Sequence, residues 1–429
     1  MTSPIAARLP QAESTTPGPQ PEQPDLAQQR RNVLWQALAL ALGAAVSLGL
    51  ARFSYALLLG PMRDDLGWTY FTAGVMNTVN AAGYLLGALL MPGWITRHGA
   101  RSALVGGGVA AAGLLALHGG ASSDALLALL RLLSGVASAA TFVAGGLLAA
   151  RLGSRAVGLV SPGLVLGLYY GGTGLGIVAS ALLVPVFAGG GGAVGDVIQS
   201  VSPHGWRPAW WALGAVALLF TGLMRWGTGP DAPTAAPVPG AVAHEAVPWR
   251  RFAWALAGYF MFGLGYIGYM TFIISLLREQ HLGTATITAF YVTLGLGVVA
   301  SSWLWAGLLQ RFQGGQAMAV LNALLALATV LPVLSARPVA VFASGALFGA
   351  VFLSVVASTT ALVRHNLPAT AWPRGIAAFT VVFALGQIAG PSLVGLIADG
   401  PGGLVRGLAV GAAALALGAL LAACQKPLR

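Results

Sequence analysis

Two arginines lie in apolar stretches that are long enough to cross a bilayer. Arg52 is the single charge in WQALALALGAAVSLGLARFSYALLLGP (35–61), and Arg131 is the single charge in ALLALLRLLSGVASAATFV (125–143). An arginine keeps its proton, and placing one near the bilayer centre costs about 2.5 to 3.5 kcal/mol. Because a guanidinium can hold a carboxylate through two parallel hydrogen bonds, these residues predict a binding site for a small organic anion.

No acidic residue stands within the predicted spans to neutralise the two charges. The 11 Asp and Glu residues all fall in tails, loops or predicted helix ends. Two alternatives stay open from the sequence. The Arg131 side chain could extend to the outer membrane interface, or Asp64 or Asp65 could fold back toward an arginine. Otherwise the bound solute supplies the negative charge.

Neutral polar side chains at helical spacing could complete the site. Asn77, Asn80 and Tyr84 share one face of the second span, and Ser134 follows Arg131 by one helical turn. Each could instead serve in packing or in a hydrogen bond between helices. The predicted substrate-binding residues are Arg52, Tyr55, Asn77, Asn80, Tyr84, Arg131, Ser134, Tyr170, Thr173, Tyr266, Tyr269 and Gln387.

Composition places the whole chain in a membrane. Of 429 residues, 57% are hydrophobic and 8% are charged, whereas about a quarter of the residues in a soluble domain are charged. The mean hydropathy is +0.80. The single cysteine, Cys424, excludes an intrachain disulfide and a cysteine-rich metal site. The predicted fold class is therefore an all-α membrane protein, held together by helix packing.

Twelve apolar segments divide into two groups of six around a Pro- and Ala-rich polar interval. A helix needs roughly twenty residues to span a bilayer, and each segment is about that long. The predicted domains are a disordered cytoplasmic tail (1–32), an N-terminal six-helix bundle (33–226), a cytoplasmic linker (227–249), a C-terminal six-helix bundle (250–425) and a cytoplasmic tail (426–429).

The basic residues set the predicted orientation. With both termini inside, 15 of the 22 Lys and Arg residues fall on cytoplasmic segments, 5 on outer loops and 2 within spans. This bias matches the positive-inside rule and predicts cytoplasmic termini in the bacterial inner membrane. The net charge of +11 is thereby explained by topology, so no nucleic acid partner is expected.

The two halves match at a constant offset of 214 residues, which indicates a duplicated six-helix unit. GLARFSY (49–55) aligns with GLGYIGY (263–269), so that Arg52 corresponds to Tyr266 and Tyr55 to Tyr269. The same offset relates Gly83 to Gly297 and Gly135 to Gly349 in other helices.

The chain resembles the major facilitator superfamily, and within it the bacterial YbfB/YjiJ-like group, over nearly its whole length outside the N-terminal tail. The motifs are ARFSYALLLGPMRDDLG (51–67), YYGGTGLGIVASALLVP (169–185), YFMFGLGYIGYMTF (259–272) and FALGQIAGPSLVGLIAD (383–399). The resemblance implies two six-helix bundles around a central cavity. Helices 1, 4, 7 and 10 would line that cavity, which would open alternately to each side.

Two further sets are candidates for gating. The loop TRHGAR (96–101) has Thr96 where the superfamily usually has an acid, so the predicted inner gate relies on Arg97, Gly99, Arg101 and Arg311, which could equally reflect the cytoplasmic bias. The glycine pairs Gly172 with Gly176 and Gly386 with Gly390, followed by Pro391, predict either close helix packing or a pivot between the bundles.

These features predict a secondary active or facilitative transporter of a small carboxylate-type anion, acting as a monomer in the lipid bilayer by alternating access. No catalytic residue, metal or cofactor is expected, because the spans lack clustered His, Asp, Glu or Cys. An exporter of amphipathic drugs and a non-transporting sensor are the alternatives. Uniport, exchange and co-transport all stay open, and His118 is interpreted as an interfacial residue.

Overall fold

Twelve helices that are long and apolar enough to cross a membrane make up most of the computed structural model, which describes residues 25–188, 205–229 and 248–428. No β-strand occurs in these ranges, and the predicted all-α class is confirmed. The helices are α1 Leu26–Leu66, α2 Tyr70–His98, α3 Ala100–His118, α4 Asp124–Arg155, α5 Pro162–Ala188, α6 Trp206–Gly227, α7 Ala253–Glu279, α8 Thr284–Leu304, α9 Gln316–Leu334, α10 Pro338–Asn366, α11 Trp372–Ala398 and α12 Gly403–Ala423.

The first helix begins earlier than the sequence predicted. Asp25 caps it by accepting a hydrogen bond from the amide of Ala27, and Gln28 donates to Asn32 one turn later at 3.0 Å. The predicted tail 1–32 is therefore wrong at its end, because these local bonds carry the helix beyond its apolar part. Residues 1–24 of that tail and 230–247 of the predicted linker lie outside the described residues.

Within each bundle, helices approach closely at glycines. A Cβ on Gly135 of α4 would collide with the backbone oxygen of Asn80 on α2, and a Cβ on Gly349 of α10 would collide with that of Leu294 on α8. In lipid, such small residues allow the backbones to pack against each other. The two contacts correspond residue for residue at the predicted offset.

The predicted glycine pairs also pack within single bundles. Gly172 and Gly176 lie against Ala41 and Ala45 of α1, and their counterparts Gly386 and Gly390 lie against α7 at Phe260 and Leu264. This arrangement favours the packing alternative, since a pivot must lie where the bundles meet.

The bundles meet chiefly along two helix pairs, α2 with α11 and α5 with α8, and the end of α1 also contacts α7. Gly174 of α5 lies against Gly295 of α8, and Gly74 of α2 lies against the backbone of Pro391. Among the five predicted pivot residues, Pro391 is the one whose described contact lies between the bundles.

The two bundles are joined more tightly at one end of the molecule than at the other. We name the end where α1 begins and α12 ends the terminal face, and the opposite end, where α1 ends, the closed face. Several hydrogen bonds join the bundles in the half nearer the closed face, including Tyr291 Oη to the carbonyl of Phe53 (2.7 Å) and Arg278 Nη2 to that of Leu57 (3.2 Å). The helices thus converge at the closed face.

Candidate functional site

Helix α1 changes its winding at the predicted site. Residues Ala45–Phe53 form a π-helix, in which the amide of Ser54 donates to the carbonyl of Gly49 at 3.1 Å. The Ser54 hydroxyl donates to the carbonyl of Leu50 at 2.5 Å. π-helical turns are rare and occur frequently at functional sites. Arg52 lies in this segment.

Arg52 is buried with part of its hydrogen-bonding capacity unused. Its side chain is 3% exposed, and its Nε and Nη2 atoms have no hydrogen-bond partner within the described chain. These two N–H groups point from the same edge of the guanidinium, which we name the open edge. A carboxylate binds that edge through two parallel hydrogen bonds. Leaving such donors unpaired in a buried position is unfavourable, so the open edge is suited to an anion.

Aromatic hydroxyls from both bundles surround this charge. The Cζ atom of Arg52 lies 5.4 Å from the ring centre of Tyr84 on α2. Tyr266, which belongs to α7 in the other bundle, lies near both Arg52 and Tyr84. The predicted residues Arg52, Tyr84 and Tyr266 therefore come together where the bundles face each other.

Arg131 has a different environment from the one predicted. Its Nη2 donates to Asn77 Oδ1 (3.0 Å), its Nη1 to the carbonyl of Ala51 (3.3 Å) and its Nε to that of Met76 (3.4 Å). The ring of Tyr55 lies 4.4 Å from its Cζ atom. Each of the three guanidinium nitrogens already donates to an oxygen of α1 or α2, so Arg131 ties α4 to these helices and, unlike Arg52, has no nitrogen without a partner.

The alternatives that the sequence left open are also decided by these contacts. Arg131 is 1% exposed, so it does not extend to a membrane interface. Asp64 pairs with Arg63 at 3.3 Å, and Asp65 accepts a hydrogen bond from Trp206 Nε1 at 2.7 Å. These acids bind residues near the closed face.

Two asparagines of α2 organise the polar side of the site. The Asn77 amide, which accepts from Arg131, donates to Thr271 Oγ1 on α7 at 2.6 Å. The Asn80 amide donates to the backbone carbonyl of Arg131 at 2.9 Å, while its Oδ1 has no partner among the described residues. Asn77 thus links the bundles, and Asn80 fixes α2 on α4.

Five nearly parallel aromatic rings form the other side, on α7, α10 and α11. We name them the ring stack: Tyr259, Phe262, Tyr266, Phe352 and Phe383. Tyr266 lies 5.6 Å from Phe383 at 16° and 6.0 Å from Phe352 at 9°. Gln387, also predicted, donates a hydrogen bond to the Tyr266 hydroxyl. Tyr266 is thus the member of the ring stack that lies near Arg52.

Two other predicted site residues form hydrogen bonds between helices of a single bundle. The Tyr55 hydroxyl donates to the carbonyl of Ala73 at 3.0 Å. The Tyr269 hydroxyl bonds with Ser344 Oγ at 2.6 Å, and its ring stacks on Phe348 at 4.0 Å. Both tyrosines hold helices together, and their role in binding a substrate stays a prediction.

The predicted site residues Ser134, Thr173 and Tyr170 lie in different surroundings. The hydroxyls of Ser134 and Thr173 are buried and have no hydrogen-bond partner in the described part of the chain. The Tyr170 ring is 38% exposed and lies 5.8 Å from that of Phe142. These contacts place none of the three against Arg52.

The predicted gate residues near the terminal face make local contacts. Arg101 Nη2 donates to the carbonyls of Arg225 and Thr228, both at 3.0 Å, and so caps the end of α6 in its own bundle. Gly99 ends α2 with a φ of +83°, a conformation that favours glycine. Arg97 and Arg311 are exposed.

Sequence reasoning missed the polar cluster at the closed face. The Asp399 carboxylate, from the end of α11, accepts hydrogen bonds from the amides of Tyr70 (2.7 Å) and Phe71 (2.8 Å) at the start of α2. The Tyr70 hydroxyl donates to Glu279. An acid at a helix N-terminus is a familiar signal, but these partners lie 329 and 328 residues apart.

His118 is the last residue of α3, as expected for a residue near the outer end of that helix. Its side chain is fully buried and stacks on Trp210 at a centroid distance of 4.5 Å. Its Nδ1 lies 2.7 Å from the carbonyl of Leu114. Across the described ranges, no group of three or more His, Cys, Asp or Glu residues could hold a metal ion.

Comparison with known proteins relates this architecture to transporters. A family model described as "Uncharacterised MFS-type transporter YbfB" matches residues 44–423. Among curated proteins, none matches the chain.

Two solved structures share the fold over nearly the whole chain. A bacterial homolog of the human lysosomal transporter Spinster, in an inward-facing and unoccupied conformation, is 15% identical with a TM-score of 0.65 and covers 92% of this chain and 95% of its own. The nucleoside transporter NupG is 13% identical with a TM-score of 0.63 and covers 91% of this chain and 98% of its own. Identities this low show the fold alone.

Proposed function

Because the chain belongs to the YbfB-type family of major facilitator superfamily transporters, we propose that it moves a small organic anion across a membrane by alternating access. The observation that carries this proposal is the open edge of Arg52. A permanent charge is buried between the bundles with two donors aligned as a carboxylate requires. The solute supplies the missing negative charge when it binds.

The contacts between the bundles support a reversible opening. The closed face is joined by hydrogen bonds and by short helix contacts, with no ion pair between the bundles among the described residues. Polar contacts of this kind exchange readily with water, so the face can open when the bundles rock. The terminal face then closes in turn, and the solute reaches the opposite side.

The orientation follows from the basic residues. We assign the terminal face to the cytoplasm of a bacterial inner membrane, since the predicted topology gives that side 15 of the 22 Lys and Arg residues and the other side 5. Both bundles belong to one chain and enclose the site, so a monomer suffices. The surrounding partners are lipids, and neither a cofactor nor a nucleic acid takes part.

The test is uptake of labelled solutes by proteoliposomes. The panel holds monocarboxylates, dicarboxylates and amphipathic cations, and the variants are Arg52→Gln and Arg52→Ala. Arg63→Ala is the matched control, because Arg63 lies on the same helix but pairs with Asp64 at 3.3 Å near the closed face. We expect anion uptake by the parent and the control, and its loss in both Arg52 variants. Uptake of cations that is unchanged in the Arg52 variants would overturn the proposal.

A second candidate is an exporter of amphipathic compounds. The ring stack favours it, since aromatic faces bind apolar bodies and cations. The same panel separates the two candidates. An amphipathic exporter moves cations without needing Arg52, whereas the anion transporter does not move them.

A further inference from the structure

We infer that the solute is a monocarboxylate with one flat aromatic ring. This inference rests on the proposed function and adds the shape and charge number of the solute. The carboxylate binds the open edge of Arg52, and the ring lies against the ring stack.

The charge number follows from the two arginines. Arg52 offers one open edge, whereas the donors of Arg131 already bind Asn77 Oδ1 and two backbone carbonyls. One open edge matches one carboxylate. A second carboxylate on the solute would be buried without a partner, which strongly disfavours binding.

The shape follows from the ring stack beside Arg52. In the ring stack, neighbouring rings lie within 20° of parallel at centroid distances of 4.8 to 6.0 Å. These separations lie within the range that offset-stacked aromatic pairs prefer. A flat ring placed beside the stack continues this geometry, whereas a puckered ring of the same size does not.

Two features connect the charge to the stack. Tyr266 belongs to the stack, and its hydroxyl lies near Arg52. Phe53, the neighbour of Arg52 in the π-helical segment, meets the Phe352 ring edge-on at 5.8 Å. The carboxylate site and the apolar wall are therefore adjacent.

Phe383 is the ring of the stack that is most accessible to a solute. It is half-buried, while Tyr259, Phe262, Tyr266 and Phe352 are buried. Tyr84, which stacks near the Arg52 guanidinium, is half-buried as well.

The alternative explanation of the ring stack is structural: the rings pack the C-terminal bundle and do not contact the solute. In that case, removing the Phe383 ring lowers stability but leaves the preference among anions unchanged. The two explanations therefore differ in a binding measurement.

The experiment is titration calorimetry of the purified full-length protein with four probes. Benzoate is the reference, cyclohexanecarboxylate has the same charge on a puckered ring, terephthalate adds a second carboxylate, and benzamide lacks the charge. We expect benzoate to bind at least about threefold more tightly than cyclohexanecarboxylate, and terephthalate and benzamide to bind more weakly still.

The variants are Phe383→Leu, Arg52→Gln and the control Phe220→Leu, which changes a partly buried phenylalanine of α6 outside the ring stack. Phe383→Leu should reduce the benzoate preference to about parity with cyclohexanecarboxylate, and Phe220→Leu should leave it intact. Arg52→Gln should abolish binding of both monocarboxylates.

The outcomes separate this inference from the proposed function. If cyclohexanecarboxylate or terephthalate binds as tightly as benzoate and Arg52→Gln abolishes that binding, the ring inference is wrong and the anion proposal stands. If Phe383→Leu keeps the full benzoate preference, the ring stack is packing only. If no anion binds, or if Arg52→Gln binds as the parent does, both fail.

Discussion

The side-chain amide of Asn77 donates a hydrogen bond to the Thr271 hydroxyl, 2.6 Å away in the other bundle. The same asparagine accepts from Arg131, so a continuous chain of polar groups runs from α4 through α2 to α7. A residue interpreted from sequence as a substrate ligand therefore joins the two halves of the protein. Substituting Asn77 and Thr271 separately measures how much each of these two hydrogen bonds contributes to stability.

Asn77→Ala should destabilise the protein more than Thr271→Val. The alanine leaves a donor of the buried Arg131 guanidinium unpaired, which costs about 1 to 3 kcal/mol. Thr271→Val keeps that pair and removes the bond between the bundles, worth about 0.6 kcal/mol in comparable membrane proteins. Thermal unfolding followed by tryptophan fluorescence gives the comparison, with the exposed Asn32→Ala as control. Equal unfolding temperatures for the two variants would contradict this order.

Asp399→Asn should loosen the closed face. The carboxylate accepts from two amides at the N-terminus of α2, where a negative charge is favoured by about 0.3 to 1 kcal/mol at exposed sites. In a Cys424→Ser background carrying Ser392→Cys, we expect a membrane-impermeant maleimide to label position 392 faster when Asp399 is replaced.

Asp64→Asn is the control for that labelling, because its carboxylate pairs only with Arg63 among the contacts described. Faster labelling in both variants would mean that the added accessibility reflects lost surface charge and not the contact of α11 with α2.

A disulfide between positions 78 and 392 should stop transport. The Thr78 and Ser392 hydroxyl oxygens are 2.8 Å apart and belong to opposite bundles, so cysteines at these positions are close enough to bridge. Thr78→Cys with Ser392→Cys, in the Cys424→Ser background, should lose uptake on oxidation and regain it on reduction. Full uptake by the oxidised, crosslinked protein would show that this contact need not open.

Much of the fold could be predicted from sequence because membrane spans are local signals. Length and hydropathy mark each helix independently of its neighbours, and small residues such as Gly135 mark where a helix approaches another. The early start of α1 was not predicted, because Asp25 and Gln28 stabilise a polar first turn that a hydropathy pattern does not show.

The site was harder to predict because helical periodicity shows which side chains share a face and not what that face meets. Arg52 and Arg131 look equivalent in sequence, yet oxygens of α1 and α2 satisfy Arg131 while two donors of Arg52 have no partner in the described residues. The π-helical winding at Ala45–Phe53 has no sequence signal that we recognise. The bond from Asp399 to Tyr70 exists only once the bundles have docked.

Gly135→Ala should destabilise the protein, and Gly113→Ala should not. At Gly135 the added methyl group meets the backbone of α2, and such overpacking costs about 1 to 3 kcal/mol. At Gly113 the nearest 4 Å around a Cβ holds no described atom, and alanine is the better helix former by about 1 kcal/mol. Gly349→Ala should behave like Gly135→Ala if the duplicated contact matters equally. The unfolding temperatures of the three variants check this, and a stable Gly135→Ala would show that α2 and α4 can move apart.

Arg52→Met and Arg131→Met should change stability in opposite directions in the absence of solute. Arg52→Met removes a buried charge with unpaired donors, and a shape-compatible apolar side chain at such a position is neutral or stabilising by about 1 kcal/mol or more. Arg131→Met leaves Asn77 Oδ1 and two backbone carbonyls without their donor and should cost about 3 kcal/mol or more. The measurement is the unfolding temperature of each protein without and with benzoate. Benzoate should raise the unfolding temperature of the parent and leave that of Arg52→Met unchanged. A loss of stability in Arg52→Met as large as that in Arg131→Met would mean that Arg52 is a structural residue, and the binding site proposed around its open edge would have to be abandoned.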